Sequence, residues 1–201
     1  MIIALTGFMG CGKSSVGREL STLLRIPVVD LDQYIVQKAG RSIADIFAKD
    51  GEPFFRALET EALYELLVPG GPPSETSFGP LPSKLGPLPL MMPRVAQFPS
   101  GDLREPQQNF ILSLGGGTIV NEKNAAIIKE RCRVVYLRAT VETLRLHLGG
   151  EQSQRPLLRS GGFEALLQER APLYAAAADY IIDTDYLSPM QIAGVIANLV
   201  T

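Results

Sequence analysis

Two rhythms of apolar and polar residues alternate along this chain. Short apolar runs at Ile2 to Thr6, Pro27 to Asp30, Phe110 to Leu114, Arg133 to Leu137 and Tyr180 to Asp183 read as strands. Between them apolar residues recur every three or four positions. Val16, Leu20, Leu23 and Leu24 form one such stripe, with Arg18, Glu19, Thr22 and Arg25 on the other side, and this predicts a helix ending before Pro27. Helix-start signals mark the same rhythm further on. Asp30-Leu31-Asp32 leads into a helix ending near Gly40, Ser42 with Asp45 opens one through Lys49, and Pro53 suits the first turn of one running to Leu67. Asn121 can cap a helix, Thr140 to Leu148 forms another, Phe163 to Ala178 continues with a break at Pro172, and Ser188-Pro189 starts a last one through Leu199. Strands that alternate with helices, and are too apolar to have a wet face, predict a parallel α/β sheet of five strands with helices on both faces. Ligands gather beyond the carboxyl ends of the strands in such a sheet.

One stretch breaks the rhythm. Residues 69–108 carry ten of the fifteen prolines and little periodicity, so an extended insertion is expected there, either a passive surface loop or a partner-binding segment. The other polar, glycine-rich stretch, 149–162, has the composition of a lid. The rest reads as a single domain spanning 1–201, a length that buries a substantial core.

The strongest chemical signal follows the first strand. Gly7-Phe8-Met9-Gly10-Cys11-Gly12-Lys13-Ser14 fits G-x-x-x-x-G-K-[ST], with a strand before it and a helix after it. Glycines bring backbone N–H groups close to phosphate oxygens, Lys13 supplies a point charge, Ser14 offers a hydroxyl to Mg²⁺, and the helix start adds its partial positive charge. A buried small residue is the plain reading of Cys11, an oxidisable thiol the alternative. Two cysteines are too few for a disulfide framework. A net charge of −2 offers no basic footprint for nucleic acid or an anionic membrane, and no apolar run is long enough to span one. With the loop so near the start and no room for a signal peptide before it, a cytoplasmic protein is expected.

Phosphoryl transfer needs a phosphate cradle, Mg²⁺ and an acceptor in line with the γ-phosphate. Asp30 and Asp32, two apart in extended chain, project to one side; we assign Asp30 to the Mg²⁺ shell with Ser14, and Asp32 to the acceptor hydroxyl and its proton. A helix N-cap is the alternative for Asp32. Arg56 and Arg170 are forks suited to clamping a small anion, although either alone also fits a surface ion pair. Gly115, Gly116 and Gly117 permit close approach of main chain to a ligand, or simply a flexible turn. Arg155 is placed to close on the phosphates from the lid, or to stay an exposed loop arginine.

Together GFMGCGKSSVG at 7–17, DLD at 30–32, FFRALE at 54–59, LGGG at 114–117, RPLL at 155–158 and ERAPLY at 169–174 resemble the shikimate kinase family over nearly the whole chain outside 69–108. The resemblance implies a P-loop kinase fold with strand order 2-3-1-4-5 and transfer of the ATP γ-phosphate to the 3-hydroxyl of shikimate. It implies shikimate binding by Asp32, Arg56, Gly115, Gly116, Gly117 and Arg170, with Asp32 as base. Nucleotide binding falls to Gly10, Cys11, Gly12, Lys13, Ser14, Ser15 and Arg155, and Mg²⁺ to Ser14 and Asp30. ATP and shikimate are then the partners of a monomer that takes neither nucleic acid nor membrane. The sequence departs from the pattern twice. His147 stands where the family commonly carries an arginine against adenine, which is then expected between His147 and the Asp185 to Pro189 loop; a solvated helix-end residue is the plain reading. The second departure is the proline-rich insertion. A kinase for a sugar acid or a nucleoside monophosphate, or a non-catalytic nucleotide-binding module, remains the competing reading.

Overall fold

The computed structural model describes residues 1–68, 109–149 and 162–200; the expected insertion at 69–108, most of the 149–162 stretch and Arg155 lie outside them. The described chain falls into two compact units, Met1–Asp30 with Asn109–Thr201, and Leu31–Gln108.

The first unit is built on β1 (Ile2–Thr6), β2 (Val28–Asp30), β3 (Phe110–Ser113), β4 (Arg133–Arg138) and β5 (Tyr180–Asp183). All pair in parallel, in the order β2-β3-β1-β4-β5. The expected order is therefore the observed one. Ile3, Ala4 and Leu5 of the central strand are wholly buried, as are Ile111, Leu112, Val134 and Val135 on its neighbours. The path from β1 to β2 runs one way across the sheet and that from β3 to β4 the other, so right-handed crossovers place their helices on opposite faces. Those helices are α1 (Lys13–Leu24) and α5 (Glu122–Arg131). The last helix, α8 (Pro189–Val200), packs on α1, whereas α7 (Phe163–Ala177) packs with α5 on β4. The α6 helix (Val141–Leu148) follows β4. At the edge, β5 exposes Ile181, so the cover on both sides that its apolar run suggested is incomplete there.

Local capping chemistry explains most helix starts. Ser42 accepts from the Asp45 N–H, Asn121 from Lys123 and Thr140 from Thr143, while Ser188 and Gln191 bond reciprocally in a capping box. Pro53 lies in the first turn, where no intrahelical partner for its missing N–H is needed.

Three local expectations are corrected. Leu23 is 51% exposed; Val16, Gly17 and Leu20 make the buried stripe of α1, and its last turn is open to solvent at Thr22 and Leu23. Pro172 does not break α7. The ring removes one backbone bond at roughly 3 kcal/mol in a helix interior, but Arg170 and Tyr174 on either side of it are buried and fastened to Gly116, which holds the helix through the defect. Asp30 and Asp32 do not share one extended segment, because α2 (Leu31–Ala39) begins immediately after Asp30. Leu31 and Ile35, four apart and both buried, explain the early start. Asp32 thus sits in the first turn of α2 and is not its N-cap.

The second unit contains α2, α3 (Ile43–Asp50) and α4 (Glu52–Leu67). Here α4 packs on α2 and α3, Ile46, Leu58, Ala62 and Leu63 are buried, and Lys38 reaches Glu61 at 2.8 Å and Glu65 at 2.7 Å in an ion cluster. The Tyr34 hydroxyl donates to Glu65, and its pKa is driven upward, first by burial and then by that carboxylate.

Candidate active site

The phosphate loop leaves the end of the central strand and closes on α1. Gly7 has a φ of +142°, and a Cβ there would lie 2.6 Å from the Leu137 carbonyl oxygen and 2.8 Å from Cys11 Sγ. Only glycine fits that position. The Lys13 ammonium donates to the carbonyls of Gly7 at 2.9 Å and Phe8 at 3.0 Å, with Cys11 Sγ at 3.7 Å. It is therefore folded over the loop whose charge balance it would set. Gly12 lies at the amino end of α1, and the N–H groups of Lys13, Ser14 and Ser15 precede the first intrahelical bond, in which the Val16 N–H donates to the Gly12 carbonyl at 2.9 Å. Ser15 belongs to this turn. Cys11 is buried within the loop.

Ser14 Oγ donates to Asp30 Oδ2 at 3.5 Å. The structure thus joins these two expected metal-site residues: a hydroxyl and a carboxylate, both hard oxygen donors of the kind Mg²⁺ takes, meet at the mouth of the loop. Among the described residues no cluster of three or more His, Cys, Asp or Glu is gathered for a metal.

The triple glycine follows β3 and runs beside the phosphate loop. A Cβ at Gly116 would lie 3.6 Å from the Met9 nitrogen and 3.8 Å from the Gly7 oxygen. Its carbonyl accepts from Arg170 Nη1 at 3.3 Å and from the Tyr174 hydroxyl. Arg170 is 8% exposed, and its buried Nε has no hydrogen-bond partner among the described residues. A buried guanidinium in this state favours an anionic, planar partner. Burial raises the Tyr174 pKa, against the opposing pull of the Arg170 cation, so its hydroxyl remains a donor. Tyr174 was not among the expected site residues. Its spacing of four from Arg170, on one face of α7, was the available signal.

In the second unit Arg56 is held by carboxylates one turn before it and one turn after it on α4. Its Nε and Nη2 donate to Glu52 at 3.2 and 2.9 Å, and its Nη1 donates to Glu59 at 2.6 Å. Among the described residues these bonds take three of the five N–H donors of the guanidinium, which leaves two for a ligand. Glu59 is 1% exposed and is the second residue that the sequence reading passed over. Burial opposes the Arg56 charge, but Glu59 and Glu52 outweigh it and raise the pKa. Asp32 and Arg56 both belong to this unit, Gly116 and Arg170 to the first.

His147 ends α6, exposed, with Nδ1 2.8 Å from the Gly10 carbonyl oxygen. Pro189 opens α8, after a loop whose Asp185 accepts from the Thr140 N–H at 2.9 Å and hydroxyl at 2.8 Å.

A parallel sheet in this order, a glycine-rich phosphate loop leading into α1 and a serine–aspartate pair at its mouth define a P-loop kinase fold. Comparison with known proteins narrows the class. The shikimate kinase family model matches residues 9–71 and 102–201. A shikimate kinase of Dictyoglomus turgidum is 34% identical over 91% of this chain and 87% of its own length, and one of Salinibacter ruber is 32% identical over 100% and 85%. A solved shikimate kinase of Acinetobacter baumannii, in complex with shikimate, superposes with a TM-score of 0.75 at 31% identity, covering 99% of this chain and 92% of its own. This chain belongs to the shikimate kinase family, whose members use ATP. None of its described helices is long and apolar enough to cross a membrane.

Proposed function

We propose that the protein transfers the γ-phosphoryl group of ATP to the 3-hydroxyl of shikimate, giving shikimate 3-phosphate and ADP. Family membership supplies the reaction, and one observation favours the acceptor: Arg170 is a buried guanidinium with an unpartnered Nε and no carboxylate paired to it among the described residues. Such a cation suits the carboxylate of a hydroxylated acid.

In this reading Gly10, Cys11, Gly12, Lys13, Ser14 and Ser15 surround the ATP phosphates, and the Lys13 ammonium offsets charge on them. Arg155, outside the described residues, adds a second cation. Ser14 and Asp30 would hold Mg²⁺, which would supply positive charge against the phosphates. Arg170, Arg56 and the Gly115 to Gly117 turn orient shikimate, and Asp32 takes the proton of the 3-hydroxyl as the new O–P bond forms and the bond to the ADP oxygen breaks. Adenine lies against the face of His147 and Pro189. The protein works as a cytoplasmic monomer.

The test is ADP release by the purified chain with ATP, Mg²⁺ and shikimate, expected at a turnover of about 1–100 s⁻¹. Asp32→Asn is expected to lose most turnover while nearly retaining ATP affinity. Release with a nucleoside monophosphate or a sugar acid but not with shikimate would overturn the acceptor assignment.

A further inference from the structure

The ring of His147 has an edge and a face, and the contacts of the edge suggest a second duty. A carbonyl oxygen only accepts, so the 2.8 Å contact with Gly10 O requires the hydrogen on Nδ1. Gly10 lies at the apex of the phosphate loop, in a turn closed by the Cys11 N–H donating to Phe8 O at 3.3 Å. Its φ of +83° is that of the third residue of a type II turn. The Gly10 carbonyl and the Cys11 N–H belong to one planar peptide group. His147 fixes one end of that plane, and Phe8 O fixes the other.

The helix bearing His147 is itself braced. A Cβ on Gly10 would lie 3.0 Å from Leu148 Cγ and 3.2 Å from Leu144 O, so the loop apex rests directly on α6. Asp185 holds the amino end of α6 through Thr140. Arg145 pairs with Glu164 of α7 at 2.6 Å, and Phe163 of α7 packs edge-on against Phe8 of the loop with ring centroids 5.2 Å apart. The loop is thus gripped at Phe8 and Gly10 by two helices that are tied to each other.

We infer that His147 is a positioning residue for the phosphate loop: its Nδ1–H holds the Gly10 carbonyl and so sets the direction of the amides that follow, a role separate from any stacking of its face on adenine. This rests on the reading of Gly7 to Ser14 as the ATP phosphate site. Loss of one neutral hydrogen bond of this kind corresponds to about 3–10-fold in affinity.

Two variants separate edge from face. His147→Asn keeps an N–H donor near the Nδ1 position and removes the ring; His147→Phe keeps a stacking face and removes the donor. The probe is inorganic tripolyphosphate with Mg²⁺, which carries no base, titrated by calorimetry below each melting transition and alongside ATP. His147→Phe is expected to weaken tripolyphosphate and ATP by about the same 3–10-fold, whereas His147→Asn holds tripolyphosphate within about twofold of the parent. If His147→Phe leaves tripolyphosphate binding unchanged, or His147→Asn falls as far as His147→Phe, the inference is wrong. A parent chain that binds neither ATP nor tripolyphosphate overturns the reading of the loop itself.

Discussion

Arg170→Lys separates the substrate-facing role of Arg170 from its structural one. The substitution preserves a positive charge on α7 but replaces a five-donor planar fork with a compact ammonium. Within the protein little is lost. Arg170 donates a long hydrogen bond of 3.3 Å to Gly116 O and stands against the Tyr174 hydroxyl, which a lysine ammonium can still face, and that carbonyl keeps the Tyr174 hydroxyl. The change also removes a buried Nε–H that has no partner among the described residues. Stability should therefore shift by no more than about 1 kcal/mol, the scale of one modest hydrogen bond. Towards a carboxylate the loss is larger. Hydrogen bonds to charged groups contribute about 1.5–3 kcal/mol, which at roughly 1.4 kcal/mol per decade is about 10–100-fold when the fork is lost and part of the charge attraction remains. Steady-state ADP release, measured with each substrate varied in turn, should show the KM for shikimate raised by that factor and the KM for ATP within about twofold. Equal losses for both substrates, or an unchanged KM for shikimate, would refute the assignment.

Two further outcomes follow from particular contacts. Gly116 has a φ outside the left-handed region, and an added Cβ meets nothing nearer than 3.6 Å, so Gly116→Ala should melt within about 2 °C of the parent yet bind shikimate at least tenfold more weakly, by calorimetry, if the glycine is there for the ligand. A large fall in melting temperature with affinity retained would make it a folding residue instead. Burial, and then Asp179, push the Cys132 thiol from an ordinary 9.0 up to about 12. As pH rises from 9 the unfolded chain releases this proton while the folded chain keeps it, so stability present below pH 9 is lost on the way to 12, by roughly 1.4 kcal/mol at pH 10. The stability gap between parent and Cys132→Ala, from urea unfolding at pH 8 and pH 10, should shrink by about that amount; a constant gap would contradict the burial account.

The alternation of strands and helices, the phosphate loop and the Ser42, Asn121 and Ser188 caps were legible because each rests on interactions within a few residues, whereas the order of the sheet followed only from the resemblance to a known family. The misreadings have a common physical source in tertiary packing. Leu23 continues the apolar stripe of α1 into a last turn that is open to solvent. Pro172 carries a local penalty that the anchorage of Arg170 and Tyr174 on Gly116 offsets. Asp32 entered a helix because Leu31 and Ile35 are buried together, and no pattern around a two-residue DLD step announces that. The roles of Tyr174 and Glu59 depend on partners: one lies under a carbonyl 58 positions away, and the other is a buried carboxylate whose sequence reads as a surface helix charge.

The phosphate loop is the direct continuation of β1, which lies between β3 and β4 with Ile3, Ala4, Leu5 and Thr6 wholly buried. Amides of such a strand exchange with solvent only when the whole domain opens. The donor half of the site therefore has no private melting transition: hydrogen exchange at β1 and loss of ATP-binding geometry should report the same opening free energy. A destabilising substitution elsewhere in this sheet would then lower the amount of competent enzyme in a cell while leaving the quality of each folded copy intact.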